Sequence, residues 1–283
     1  MEKIETQPDR LDYLLEQLQK EREEYSELQP GRLNDMEKRM LLRSMMNLRM
    51  PGEISPQVLQ VQDAFLRQEA MEKGIIDWRD LPSIKEELGN DGPYGESISL
   101  WQGDITRLKA DAVVNAANGQ MLGCFVPCHK CIDNAIHSAA GMQLREECSE
   151  IMQKKRMRAG RSYQEPVGTA VLTKGYNLPA SYVIHTVGPF VGEELTDSLR
   201  LDLKNCYESV LKCAVRHQLR SVAFCCISTG EFHFPNREAA AIAVSAVAEF
   251  LDENPKAFER VIFNVFKDED RLIYQELLAK AGR

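Results

Sequence analysis

From about residue 96 onward, short apolar runs alternate with amphipathic stretches of helical length. This alternation restricts the chain to an α/β architecture built on a mostly parallel, buried sheet. The runs read as strands at Ile98–Gln102, Ala112–Ala116, Gly168–Leu172, Tyr182–Val187, Val222–Ser228 and Val261–Phe266. Between and after them, helices are expected over Asp133–Lys154, Ser198–His217, Arg237–Glu253 and Asp270–Ala279. The N-terminal part has a different texture. Leu11, Leu14, Leu15 and Leu18 recur at helical spacing, a second helix is expected from Leu33 to Leu48 with Asn34 or Asp35 as its cap, and a third from Pro56 to Gly74. The breaker cluster Gly89-Asn90-Asp91-Gly92-Pro93 places the boundary. The expected organisation is a helical extension over residues 1–95 and a three-layer α/β/α domain, its sheet mixed but mostly parallel, over residues 96–283.

A chain of 283 residues can bury its core without disulfide staples. The formal net charge of -8 argues against a general nucleic-acid binder but leaves room for a local anion pocket. The first residues carry no apolar stretch of leader length, and nowhere do the ~20 continuous apolar residues of a membrane helix occur. A cytoplasmic protein with no membrane partner is expected. Cys124, Cys128 and Cys131 crowd into eight residues together with His129. In a reducing compartment such a cluster points to a metal or a catalytic thiol. Cys148, Cys206, Cys213, Cys225 and Cys226 read as small buried hydrophobes.

Ligands of parallel sheets bind beyond the carboxyl ends of the strands, so the loops there carry the functional reading. Asp104, in Gly103-Asp104-Ile105-Thr106, can accept a hydrogen bond from an amino or hydroxyl group, or it can cap a turn. Asn115 and Asn118 leave a buried strand, and their amides need partners such as sugar hydroxyls or nearby backbone. The stretch Ile227-Ser228-Thr229-Gly230-Glu231-Phe232-His233-Phe234-Pro235 runs into a helix N-terminus, an arrangement that attracts phosphate without a Lys or Arg. In the Cys/His cluster, four ligands would make a closed structural site and three an open catalytic one. Adjacent residues tend to point apart, which favours Cys124, His129 and Cys131 as the ligands with Cys128 spare. Asp133 sits where a carboxylate caps a helix, and His137 on that helix reads as a packed or surface residue.

Taken in order, five segments resemble a macrodomain: Gly103–Thr106, Val114–Asn118, Ile132–His137 with Ala139-Ala140-Gly141, His185-Thr186-Val187-Gly188-Pro189, and Ile227–Pro235. The resemblance covers about residues 97–283. Where the common hydrolase pattern has a glycine-rich stretch before the Asp-containing helix, this chain has Cys124 to Cys131. In that it resembles the zinc-dependent macrodomains of microbial operons, which also carry an N-terminal helical extension. The resemblance implies an enzyme that removes ADP-ribose from acidic side chains of modified proteins, with one zinc ion on Cys124, His129 and Cys131, and Cys131 also beside the ADP-ribose. It implies further that Asp104 and Ile105 meet adenine, that Asn118 binds the ribose next to the scissile bond, and that Ser228, Thr229, Gly230, Glu231 and Phe232 wrap the diphosphate and proximal ribose. Asn118, Glu231 and Asp133 are the candidate catalytic residues, and Phe266 is a candidate for stacking on adenine or else a core aromatic. The implied partner is an ADP-ribosylated protein such as a lipoyl carrier modified by a sirtuin-type ADP-ribosyltransferase. Three other readings stand beside this one: a module that binds ADP-ribose without cutting it, a thiol hydrolase using Cys128 or Cys131, and a structural zinc knuckle for partner docking.

Overall fold

The computed structural model describes residues 4–281 and begins with three helices, α1 (Gln7–Lys20), α2 (Asp35–Leu48) and α3 (Pro56–Lys73). Thr6 and Asn34 cap the first two, each in reciprocal exchange with the third helical residue, Asp9 and Glu37. The cap of α2 is therefore Asn34, and Asp35 is its first helical residue. Leu11, Leu14 and Leu18 meet Leu42, Val61 and Phe65 in an apolar cluster of their own, which Met142 joins from the sheet domain. The segment that follows packs differently. A short strand β1 (Ile76–Asp77) and a short helix α4 (Ile84–Leu88) lead up to the first strand of the main sheet, and Leu81, Ile84 and Tyr94 belong to that sheet's core. Gly89 ends α4 in the left-handed conformation, and Asn90 Nδ2 donates to the carbonyls of Leu278 and Ala281.

The main sheet has six strands: β2 (Ile98–Gln102), β4 (Ala112–Ala117), β5 (Ala170–Lys174), β6 (Tyr182–Val187), β7 (Ser221–Phe224) and β8 (Arg260–Val265). The two-residue strand β3 (Leu108–Lys109) pairs with β1 instead. The strand order is β2-β8-β7-β4-β6-β5, parallel throughout except for β5, which runs antiparallel to β6. The expected mixed, mostly parallel sheet is thus present, with local differences. β5 starts two residues late because Gly168, at φ +80°, first turns the chain and donates its N–H to Val187. β7 stops at Phe224, and the residues up to Ser228 form a turn rather than the end of a strand.

The helix expected over Asp133–Lys154 is two helices, α5 (Ile132–Ala140) and α6 (Met142–Ala159), broken at Gly141 with φ +97°. The break is set from outside. Gln62 of α3 accepts the Met142 N–H, and a Cβ on Gly141 would lie 2.7 Å from its amide nitrogen. The helices α7 (Asp197–Arg216), α8 (Asn236–Glu253) and α9 (Asp268–Leu278) pack side by side on one face of the sheet. On the other face lie α5 and α6, with α2 and α3 outside α5. Val113, Val183, Val222 and Ile262 are fully buried between the layers, each worth roughly 1.5–3 kcal/mol of transfer free energy. Because β2, β4, β6, β7 and β8 are parallel, the loops after all five open on one edge, and the site is assembled there. No described helix is long and apolar enough to cross a membrane.

Candidate active site

Asp104 follows β2 at one end of this edge. Its Oδ1 accepts from the Thr106 N–H at 3.0 Å and hydroxyl at 2.7 Å, with buried Ile105 between them. Phe266 follows β8 on the neighbouring strand and is 76% exposed, so it is not a core aromatic. The loop after β7 fills the middle of the edge. Ser228 takes φ +65°, uncommon for a residue with a Cβ, and its buried Oγ has no hydrogen-bond partner among the described residues. Such strain, together with an unpaired buried hydroxyl, is characteristic of functional loops. Gly188, from the loop after β6, packs directly on it: a Cβ there would lie 2.1 Å from Ser228 Oγ. The loop closes through Thr229 Oγ1 to the Cys226 carbonyl (3.1 Å) and Phe234 N to the Ser228 carbonyl (2.9 Å). A Cβ on Gly230 would meet open space, and α8 starts immediately beyond Pro235. Phe232 O accepts from Val191 N, which brings the exposed ring of Phe190 edge-on to Phe232 and His233.

The far end is polar and wired. Asn115 Nδ2 donates to Asp133 Oδ1 at 2.8 Å and faces His185 Nδ1 at 3.0 Å. That contact makes Nδ1 the acceptor and leaves the Nε2 proton to Thr173 Oγ1, 2.9 Å away. Burial drops the His185 pKa to about 3, so the ring is neutral. Burial lifts the Asp133 pKa to about 6, with the Asn115 hydrogen bond opposing it. Asn118 Nδ2 lies 3.4 Å from Asp133 Oδ2 and 3.3 Å from the Gly123 carbonyl. Asp133 is thus buried behind Asn118, where it orients the amide instead of facing the cleft. His137, on the same helix, is buried, and its Nε2 lies 3.5 Å from Asp133 without the alignment of a hydrogen bond.

Three half-buried donors converge beside Asn118. Cys124 Sγ is 3.7 Å from His129 Nδ1, and the ligand atoms of Cys124, His129 and Cys131 all lie within 4.8 Å of one another. Ordinary Zn–S and Zn–N lengths at tetrahedral angles require a sulfur–nitrogen separation of about 3.6 Å. Two thiols and an imidazole at this spacing fit a soft divalent cation and leave one position open. Cys131 also caps α5, and burial above all, with Cys124 and Asp133 nearby, pushes its thiol up to about 12. Cys128 is directed elsewhere, its Sγ reaching the Met40 carbonyl of α2 at 3.3 Å. Glu231 Oε1 crosses from the β7 loop to within 3.7 Å of His129 Nε2. A second set, His137, Cys148 and His185, is also close together, but the ring nitrogens of His185 already serve Asn115 and Thr173.

Comparison with known proteins decides the family. Residues 114–243 match the Macro domain. The chain is 43% identical over 274 residues to a Protein-ADP-ribose hydrolase of Treponema medium, covering 97% of this chain and 100% of that one. It is 44% identical over 280 residues to a Protein-ADP-ribose hydrolase of Staphylococcus aureus strain Mu50, covering 98% of each. The chain belongs to the protein-ADP-ribose hydrolase family of macrodomains. Solved relatives agree. A Trypanosoma brucei macrodomain in complex with ADP superposes with a TM-score of 0.62 at 29% identity, covering 84% of this chain and 96% of that one. An Oceanobacillus iheyensis macrodomain with ADP gives 0.57 at 36% identity over 65% and 90%.

In macrodomain terms, the structure lines up Asp104, the Ser228–Phe232 loop, Asn118 and the Cys/His cluster along one edge. Asn115, expected with Asn118 to meet a sugar hydroxyl or nearby backbone, instead turns its amide to Asp133 and His185; Phe190 carries no signal in the sequence. The Gly188–Ser228 contact yields a direct expectation. Gly188→Ala drives a methyl into Ser228 and should weaken ADP-ribose binding by about ten- to hundredfold, measured by calorimetry. Binding within about twofold of wild type would show that this close approach does not shape the cradle.

Proposed function

We propose that this macrodomain is a zinc-dependent hydrolase that removes ADP-ribose from Asp or Glu esters on modified proteins. The observation that carries the proposal is the Cys124–His129–Cys131 cluster, which stands beside the Asn118–Asp133 pair at one end of the cleft. A module that only binds ADP-ribose needs the backbone cradle and not this cluster. Asp104 accepts from the adenine amino group, with Ile105 beside it and Phe266 free to stack. Ser228, Thr229, Gly230, Glu231 and Phe232 wrap the diphosphate at the start of α8, where backbone amides and the helix dipole favour phosphate. Asn118 bonds the ribose next to the scissile ester, and Asp133 holds the Asn118 amide in place. Cys124, His129 and Cys131 hold the metal. Bound there, zinc supplies Lewis-acid polarisation of an ester or ribose oxygen, or acidifies a water to near-neutral pH.

Glu231 takes the proton of the attacking water or orients that water. Its 3.7 Å approach to His129 Nε2 gives it a further task, fixing the imidazole so that Nδ1 faces Cys124. The proposed substrate is a modified carrier protein, such as a lipoyl carrier ADP-ribosylated by a sirtuin-type transferase. The test is release of free ADP-ribose from proteins modified on a carboxylate, on serine or on arginine. We expect the carboxylate linkage to be cut faster than the others by on the order of a hundredfold. Equal release from serine would refute the ester specificity. Tight binding of ADP-ribose with no release from any linkage would make the protein a reader.

A further inference from the structure

We infer that α2 is a splint for the metal loop, with Arg43 and Asn47 as positioning residues for the ligands Cys124, His129 and Cys131. The inference rests on the metal reading above and gives the N-terminal helices a task in the site. Between Ala117 and Ile132 the chain forms neither helix nor strand, so the three ligands sit on a long loop whose own backbone supplies only short turns, Met121 N to Asn118 O and His129 N to Val126 O. Yet they converge within 4.8 Å, and α2 supplies part of what holds them there, together with Asn134 of α5 and Arg145 of α6.

Arg43 Nη2 donates to the His129 carbonyl at 3.1 Å and to Asn134 Oδ1 at 2.6 Å, with Nε adding a third bond at 3.2 Å. Asn134 in turn gives its N–H to Cys131 Sγ and its amide to the Val126 carbonyl. One guanidinium therefore ties the backbone of one ligand to the residue that holds another. Asn47 is 1% exposed; its Oδ1 accepts the Cys128 N–H at 2.9 Å and its Nδ2 donates to Ser138 Oγ of α5.

Cys128 itself takes φ +51°, a conformation uncommon for any residue with a Cβ. It is held there from both sides of the residue, by Asn47 on its N–H and by the Met40 carbonyl on its sulfur. Arg145 of α6, 6% exposed, closes the other side. It donates to the Met46, Asn47 and Arg49 carbonyls at the end of α2 and to the Leu122 carbonyl of the loop, and it lies 4.4 Å over the Phe125 ring.

The test uses the full chain and three measurements: zinc affinity by competition with a chromophoric chelator, ADP-ribose affinity at saturating zinc, and the thermal midpoint. Arg43→Ala and Asn47→Leu should each weaken zinc binding by about ten- to hundredfold while ADP-ribose affinity stays within about twofold. Asn47→Asp keeps an acceptor for the Cys128 N–H and should bind zinc more tightly than Asn47→Leu; equal affinity in the two would reduce Asn47 to packing and overturn its positioning role. Wild-type zinc affinity in both Arg43→Ala and Asn47→Leu overturns the splint while leaving the metal reading intact. Zinc and ADP-ribose affinity falling together also overturns it, because the damage is then general. A wild-type protein that binds no zinc overturns the splint and the metal reading at once.

Discussion

Treatment with a strong chelator is expected to slow ADP-ribose release from a carboxylate-modified protein by about a hundredfold or more, and added zinc is expected to restore it. Cys124→Ala should reproduce the loss without rescue, because it removes one of three donors that already leave a coordination position open. Binding of free ADP-ribose should survive both treatments, since Asp104 and the Ser228–Phe232 loop follow β2 and β7, whereas the cluster follows β4. Turnover that persists in metal-free protein would sink the zinc proposal. Inactivation by alkylation but not by chelation would point instead to a thiol nucleophile. The geometry disfavours Cys128 in that role, since its sulfur is turned to the Met40 carbonyl of α2.

Asn118→Ala should lower kcat by about a hundred- to a thousandfold and leave KM little changed, the signature of a hydrogen bond made in the transition state. The argument rests on its neighbours. Asp133 Oδ2 and the Gly123 carbonyl fix the Asn118 amide, and Asp133 is itself fixed by Asn115. This amide is pre-set rather than recruited, so its loss is not recovered by rearrangement. Steady-state kinetics on the carboxylate-modified substrate decide the matter. A rise in KM at constant kcat would reduce Asn118 to a ground-state ribose contact.

The fold was legible wherever a residue's neighbours in sequence decide its structure. Val113-Val114 and Val183-Ile184 announce buried strands, and the leucine spacing of α1 announces a helix face. The departures have non-local causes. Gly141 breaks α5 from α6 because Gln62, far back in α3, caps the new helix. At the site, spacing suffices to nominate Cys124, His129 and Cys131, and the opposite directions of Cys128 and His129 follow from their adjacency. Arg43, Asn47 and Arg145 carry no local signal. The contacts they make between α2 and the sheet domain span 81 to 99 residues, and an arginine on an amphipathic helix reads as a solvated charge until the fold supplies the carbonyls it meets.

The strand order sets a timetable for synthesis. The end of the cleft that holds Asn118 and the Cys/His cluster is built from β4, β6 and β7 and the loops after them, all within residues 112–235. The Asp104 end needs β2, the first strand of the sheet, beside β8, its last, a junction where Asn264 donates to the Trp101 carbonyl across 163 residues. A chain emerging from the ribosome therefore holds every residue of the Asn118 end well before it can close the Asp104 end. Closing so wide a loop carries a larger entropy cost than the pairings within residues 112–235. Until the last strand docks, β7 also has an open side on which an unrelated strand could pair.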